Sequence, residues 1–171
     1  PPWDYHVTRA SNEAVALVDP IISGSTDQQA PTIFLPQREP YNPGGTEWGI
    51  PQSSDLKVWT ACYDVSGLRR IELKYRLDAD GANPIANYAN ELYAGGSGVG
   101  SWQTLTMTVD NFPTSRSDPQ PTYRANLYAA TITGSSLAGK LVDYYIEAED
   151  NSGNIAKSII QHVKWGGNSS G

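Results

Sequence analysis

The sequence predicts an all-β protein, an antiparallel β-sandwich, on three observations. In two segments, 58–68 and 141–154, residues of an inward-facing set alternate with residues of an outward-facing set, as in β-strands that bury one face. Each then enters a turn containing Asp and Gly, which supply the local hydrogen bonds and the positive φ that sharp turns need. Charged residues are scarce, while Gly, Pro, Asn, Ser, Tyr and Trp are plentiful, a composition typical of a loop-rich extracellular β domain.

The segment 1–30 differs from the rest and is predicted to be a stub or linker that follows a preceding domain. Ser11 can cap a short helix over 12–18, and Asp19-Pro20 would end it. We therefore expect a short N-terminal helical stub ahead of the β domain.

Residues 31–166 are predicted to form the sandwich. The prolines on both sides of the first strand suit a sheet edge. The predicted strands cover residues 32–35, 55–63, 68–77, 102–109, 123–132, 141–149 and 155–165. The Gly- and Ser-rich tail, 167–171, is predicted to be disordered.

Two long segments interrupt the regular spacing of the strands. Residues 78–101 form a polar segment rich in Asn and Gly, and residues 110–122 contain three prolines. Long loops in a compact domain are usually functional or disordered. We therefore expect the function to depend on such a loop or on one sheet face.

The charge of the chain restricts its partners. The net charge is −6 and the sequence pI is about 4.8. Nucleic acids and anionic membranes both favour basic surfaces, so we expect neither as a partner. No apolar run approaches the length of a membrane span.

Catalytic signatures are absent from the sequence. His6 and His162 lie far apart, and we expect the first to be mobile and the second to be solvated on a sheet face. A zinc site needs three or four convergent ligands, and neither the HExxH motif nor a pair of cysteines occurs in the sequence. Cys62 is the single cysteine, and we expect it to be a buried hydrophobic residue. A lone sandwich also lacks the deep cleft across which glycosidase carboxylates face each other. The chain is therefore not expected to be an enzyme.

Calcium is a candidate cofactor, in a structural role. Hard oxygen ligands suit this ion, and several crowd into the segment 78–101. The candidate ligands are Asp78, Asp80, Asn83, Asn90 and Glu91. The alternative is that these residues cap turns. A second site is conceivable where the Asp64 and Asp150 turns meet at one end of the sandwich, although structural Asx turns also account for them.

Aromatic residues are the strongest functional indication. Aromatic rings can stack on the C–H faces of sugar rings, while amides and carboxylates bind the hydroxyls. If Val58, Thr60 and Cys62 face the core, the alternating residues of that strand point outward. The candidate carbohydrate-binding residues are Trp48, Trp59, Tyr63, Tyr88, Tyr93 and Trp102. For each ring a structural role is the alternative, and Trp165 is expected to pack on a neighbouring domain.

Several segments also resemble known modules. The Asp64–Gly67 turn before 71–76 and the closing segment 144–154 resemble immunoglobulin-like or fibronectin-III-like accessory modules of secreted bacterial enzymes. The segment 31–45, with Asp78-Ala79-Asp80-Gly81 and Tyr93-Ala94-Gly95-Gly96, is similar to C-terminal modules of bacterial α-glucan-degrading glycoside hydrolases of the family 57 and 119 amylase type. The stub 3–12 resembles the end of such a catalytic domain.

The resemblance implies a non-catalytic starch-binding module of a secreted bacterial enzyme. Its expected partners are a polysaccharide, starch or a related α-glucan, and the tethered catalytic domain. The alternative hypothesis is an immunoglobulin-like spacer that packs on the catalytic domain and binds no sugar. Retention on insoluble starch distinguishes the two.

Overall fold

The computed structural model describes residues 26–84, 86, 88–110 and 125–169. The predicted helix and His6 lie outside these residues. The strands are β1 Thr32–Ile33, β2 Gln37–Glu39, β3 Thr46–Glu47, β4 Ile50–Pro51, β5 Leu56–Tyr63, β6 Leu68–Leu77, β7 Gln103–Thr106, β8 Thr108–Asp110, β9 Asn126–Ile132, β10 Leu141–Asp150, β11 Ile155–Lys157, β12 Gln161–Lys164 and β13 Asn168–Ser169. One 3₁₀ turn, Tyr88–Glu91, lies between β6 and β7. No helix in the described ranges is long and apolar enough to cross a membrane.

The strands form an all-β sandwich, as predicted. The first sheet has the order β1-β5-β9-β8, with β2 also paired to β5. The second has the order β11-β10-β6-β7, with β12 also paired to β10. Pairing within these two sheets is antiparallel. A small third sheet, β13-β3-β4, is built on the loop after β2.

The core lies between the first and second sheets. Val58 and Cys62 of β5 pack with Leu73 of β6 and Ile146 of β10 in one buried cluster. The predicted inward face of β5 is therefore confirmed, and Thr60 on the same face is also buried. Burial raises the pKa of the Cys62 thiol to about 12, so the thiol is protonated at neutral pH.

Two predicted strands are each divided in the structure. The strand predicted over 102–109 pairs with β6 as β7 and then with β9 as β8, and the buried Met107 marks the change of sheet. The strand predicted over 155–165 becomes β11 and β12, both on β10, and Ser158 lies between them. The Ser158 hydroxyl accepts the Ile146 N–H at 2.9 Å, so the break leaves that donor satisfied.

The structure also corrects the predicted ends of the sandwich. Asn168–Ser169, predicted to be disordered, form β13 parallel to β3, because the backbone of β3 offers pairing groups on that side. Asp27, placed in the linker by the sequence, is only 7% exposed. Trp165, expected to pack on a neighbouring domain, is 1% exposed and belongs to the core cluster. It lies against the loop residues Gly44, Ser54 and Gly134, so loops of this chain cover the ring.

Candidate functional site

The tip of the β3–β4 hairpin presents Trp48 to solvent. Trp48 has φ 53° and Gly49 has φ 76°, so both residues of this two-residue turn are left-handed. Such a type I′ turn suits the strand twist and normally takes Asn, Asp or Gly at its first position. The left-handed backbone conformation of a residue with a larger side chain costs about 1–2 kcal/mol of conformational free energy. Trp48 is nevertheless 78% exposed, so turn chemistry and core packing do not account for this residue.

A dense set of backbone contacts holds the hairpin on the sandwich. Glu47 Oε1 accepts the Asn42 N–H at 2.8 Å, and the Asn42 side-chain amide donates to the Thr46 carbonyl at 3.2 Å. β13 pairs with β3 on the other side. Below the hairpin, the indole N–H of Trp165 donates to the Ser54 carbonyl at 2.7 Å. The exposed ring of Trp48 therefore stands on a base that is connected to the core.

Tyr41 adds a second exposed ring to the same segment. The Arg38 guanidinium lies 4.3 Å from the centre of the Tyr41 ring, and its Nε donates to the Tyr41 carbonyl at 3.1 Å. Arg38 Nη1 also donates to the His162 carbonyl at 3.1 Å, which ties it to β12. We call the exposed apolar side chains of this segment, Tyr41, Trp48 and Ile50, the hairpin surface. The sequence analysis did not select Tyr41, although it lies in a turn-rich loop with Pro and Gly.

The aromatics of the 78–101 loop pack mainly on the second sheet. Tyr93 and Trp102 each contact the Tyr145 ring edge-to-face, with ring centres 4.8 Å apart in both pairs. The Trp102 indole N–H donates to the Tyr93 carbonyl at 2.7 Å, and the Tyr93 hydroxyl donates to the Ser158 carbonyl at 2.6 Å. The structure thus brings Tyr93 and Trp102 together, and their contacts hold the loop in place. Tyr88 lies exposed in the 3₁₀ turn.

Trp59 and Tyr63 lie on the outer face of the first sheet, and both are half-buried. The cross-strand neighbours of Trp59 are Gln37 and Ala129. Tyr63 packs, together with Phe34, against the small cluster of Ala61 and Ala125. These two rings therefore belong to the first sheet, whereas Trp48 and Ile50 belong to the β3–β4 hairpin.

The five predicted calcium ligands make hydrogen bonds within the protein. The Asn90 amide donates to Asp78 Oδ2 at 2.7 Å, and Asp78 Oδ1 accepts the N–H groups of Asp80 and Gly81, each at 3.1 Å. The Asn83 amide donates to Glu91 Oε1 at 3.3 Å. Asp80 Oδ1 accepts the Ala82 N–H at 3.0 Å. The contacts of Asp78 and Asp80 are those of turn caps, and calcium at this loop stays a prediction.

A buried ionic network lies beneath the 78–101 loop. Arg76 and Asp143 are both 0% exposed, and Arg76 Nε lies 2.9 Å from Asp143 Oδ2. The Arg76 guanidinium also donates to three loop carbonyls, those of Ala89, Asn90 and Leu92. Asp143 Oδ1 lies 2.8 Å from His162 Nδ1. The sequence analysis missed this network, and His162, expected to be solvated, is a half-buried part of it.

His162 is expected to make the stability of the protein depend on pH. The hydrogen bond to Asp143 raises its pKa, so the folded state favours the protonated imidazole. This stabilisation is complete below the unfolded pKa of about 6.5 and is lost as the pH rises through the folded pKa. The free energy of unfolding, measured by urea denaturation between pH 5 and pH 9, should therefore fall across that window. The same fall in His162→Gln would contradict this assignment.

Comparisons with known proteins give one informative relative. No family model matches the chain, and no solved structure matches it significantly. The chain is similar to a protein named α-amylase from Niallia circulans, with 29% identity over 186 aligned positions. The alignment covers 89% of this chain but 14% of the amylase. The chain thus corresponds to a small part of that amylase, and its all-β fold fits the accessory domain that the sequence predicted.

Proposed function

We propose that this chain is a carbohydrate-binding module that holds a secreted, amylase-type glycoside hydrolase on starch or a related α-glucan. The observation that carries the proposal is Trp48, which is exposed at the hairpin tip in a backbone conformation that disfavours Trp. A residue retained against a local conformational cost indicates a role outside folding. The similarity to an α-amylase supports an α-glucan as the ligand.

The hairpin surface has the chemistry that a sugar ring requires. Indole and phenol rings offer apolar faces with little side-chain entropy to lose, and they can stack on the C–H faces of a pyranose. Arg38 holds the Tyr41 ring, so part of the surface is ordered before the ligand binds. Thr46, Glu47 and Gln52 lie close to Trp48 along the chain. Each already makes a hydrogen bond within the protein, but a hydroxyl, a carboxylate and an amide oxygen have further acceptor capacity for sugar hydroxyl groups.

Modest affinity is sufficient for such a module. Tethering converts the second binding event into an intramolecular one, so a weak contact with the polysaccharide raises the local concentration of catalytic domain on its substrate. The module therefore acts by position and takes no part in the chemistry.

A spacer that packs on the catalytic domain is the second candidate. The observation that favours it is Ile50, an exposed aliphatic side chain two residues after Trp48, because exposed apolar side chains also suit a protein interface. Both candidates use the hairpin surface, and starch retention separates them.

Replacement of Trp48 by Asn is expected to stabilise the protein and weaken its retention on starch. Asn adopts the left-handed conformation more readily than Trp and is favoured in type I′ turns, so the free energy of unfolding should rise by about 0.5–1 kcal/mol. Loss of the ring should weaken binding to insoluble starch at least tenfold, or about 1.4 kcal/mol. Thermal unfolding and depletion assays with the purified chain measure both effects.

A matched control is Ile159→Asn, which replaces another exposed apolar side chain outside the hairpin. It should leave starch retention unchanged. Equal retention of wild type and Trp48→Asn would contradict the proposed surface. No retention of the wild type, together with a complex with a separately expressed amylase catalytic domain, would favour the spacer.

A further inference from the structure

Three aspartates converge at one end of the sandwich, away from the 78–101 loop. Asp27 precedes β1, Asp64 follows β5 and Asp150 ends β10. One carboxylate oxygen from each lies within 4.8 Å of the others. All three residues are buried. This end of the molecule therefore gathers negative charge out of solvent.

Two of the three carboxylates also organise turns. Asp150 Oδ1 accepts the N–H groups of Ser152 and Asn154, both at 2.8 Å, and Asp150 Oδ2 accepts the Asn154 amide at 2.7 Å. Asp64 Oδ1 accepts both the N–H and the hydroxyl of Ser66 at 2.8 Å. Asx turns thus account for part of this arrangement. Neither turn requires a third carboxylate beside it.

Asp27 makes the same Asx-type contact through one carboxylate oxygen, but this contact does not account for the other. Its Oδ1 accepts the Gln29 N–H at 2.9 Å, but its Oδ2 is buried and has no hydrogen-bond partner among the residues that the structure describes. A buried carboxylate oxygen without a donor is costly, and two further carboxylates beside it increase the cost. A cation among the three would satisfy the orphaned oxygen and balance the charge.

We propose that Asp27, Asp64 and Asp150 form a calcium site that fastens the segment entering β1 to the turns after β5 and β10. Calcium takes six to eight oxygen ligands at about 2.3–2.6 Å, so oxygens on one ion lie no more than about 5 Å apart, as these do. Magnesium keeps several waters and suits one or two carboxylates, so a buried set of three favours calcium. The ion would join both sheets, since β5 belongs to the first and β10 to the second.

The test is calcium binding by the full chain after treatment with chelator. Isothermal titration calorimetry with CaCl₂ should give a binding signal, and 1 mM calcium should raise the melting temperature by about 4 °C or more relative to chelator. In Asp27→Asn both effects should disappear. The melting temperature of Asp27→Asn in chelator should equal or exceed that of wild type, because one repelled charge has been removed.

The matched control is Asp80→Asn, in the loop where the sequence predicted calcium. This variant should retain the wild-type binding signal and the calcium-dependent rise in melting temperature. Absence of calcium binding by wild type would overturn the proposal. So would loss of the calcium response in Asp80→Asn with retention in Asp27→Asn, since the ion would then lie in the 78–101 loop.

Discussion

Replacement of Arg76 by Met is expected to lower the free energy of unfolding by about 3–5 kcal/mol. Arg76 and Asp143 are completely buried, so removal of the guanidinium leaves the Asp143 carboxylate without its main counter-charge. Among the described residues, the Asn90 amide, at 3.2 Å, and His162 are the remaining partners of Asp143. They are too few to replace the interaction with Arg76, since a buried charge that loses its partner retains its desolvation cost.

The same substitution should release the 78–101 loop. Three backbone carbonyls of the loop accept hydrogen bonds from Arg76, and the guanidinium also lies 4.0 Å from the centre of the Trp102 ring. Without these contacts the loop loses its main polar attachment to β6. Limited proteolysis of Arg76→Met under native conditions should therefore cut within 78–101 sooner than in wild type.

Arg69→Met is the control for both measurements. Its side chain is 67% exposed and pairs with Glu149 at the surface, so its loss should change the free energy of unfolding by less than about 0.5 kcal/mol. Urea denaturation of the two variants gives the comparison. If Arg76→Met were as stable as Arg69→Met, the buried network would not hold the loop as described.

Trp165→Ala is expected to lower the free energy of unfolding by about 3–5 kcal/mol, the range for truncation of a fully buried large aromatic side chain. The indole fills the core beneath the third sheet, and its N–H donates to the Ser54 carbonyl. The neighbouring Gly134 shows how tight the site is: a Cβ there would lie 2.3 Å from the indole nitrogen. Truncation therefore leaves a cavity and an unpaired carbonyl.

Trp48→Ala is the matched control for Trp165→Ala, because the same chemical change is made at an exposed ring. It should alter the free energy of unfolding by less than about 0.5 kcal/mol and weaken starch retention directly. Trp165→Ala should instead destabilise the chain and disturb the hairpin base through Ser54. Similar stabilities for the two variants, measured by thermal unfolding, would contradict the positions assigned to the two tryptophans.

The sandwich itself could be predicted because its signal is local. Alternation along β5 and β10, with Asp-Gly turns after them, needs no knowledge of distant residues. The third sheet gives no such signal, since its strands have two residues each and one comes from the tail. The burial of Trp165 depends on the paths of the loops that hold Gly44, Ser54 and Gly134, so it could not be deduced from the sequence.

The buried charges could not be predicted for a related reason. Arg76 lies between inward-facing residues of β6, so the alternation along this strand predicts a solvated side chain at this position. It is buried because the following loop folds back over the outer face of the second sheet. The sequence does show Asp64 and Asp150 in matching turns, but the position of Asp27 beside them depends on the path of the chain before β1.

The candidate site could be predicted in part. The sequence places Trp48 in a turn-rich segment, and the structure adds the left-handed backbone and the exposed, braced Tyr41. Tyr93 and Trp102 have similar loop positions in the sequence, yet they pack on Tyr145. Loop position alone does not separate an exposed ring from one that anchors the loop.

The most direct test of sugar binding at the hairpin surface is nitrogen–proton NMR of the tryptophan indoles during titration with maltoheptaose. The chain has five tryptophans, and each indole N–H can be assigned by substitution. We expect the Trp48 signal to shift with saturable dependence on sugar concentration, while the buried Trp165 signal stays in place. Shifts confined to Trp59 or Trp102, or no shift of any indole at millimolar sugar, would contradict the account.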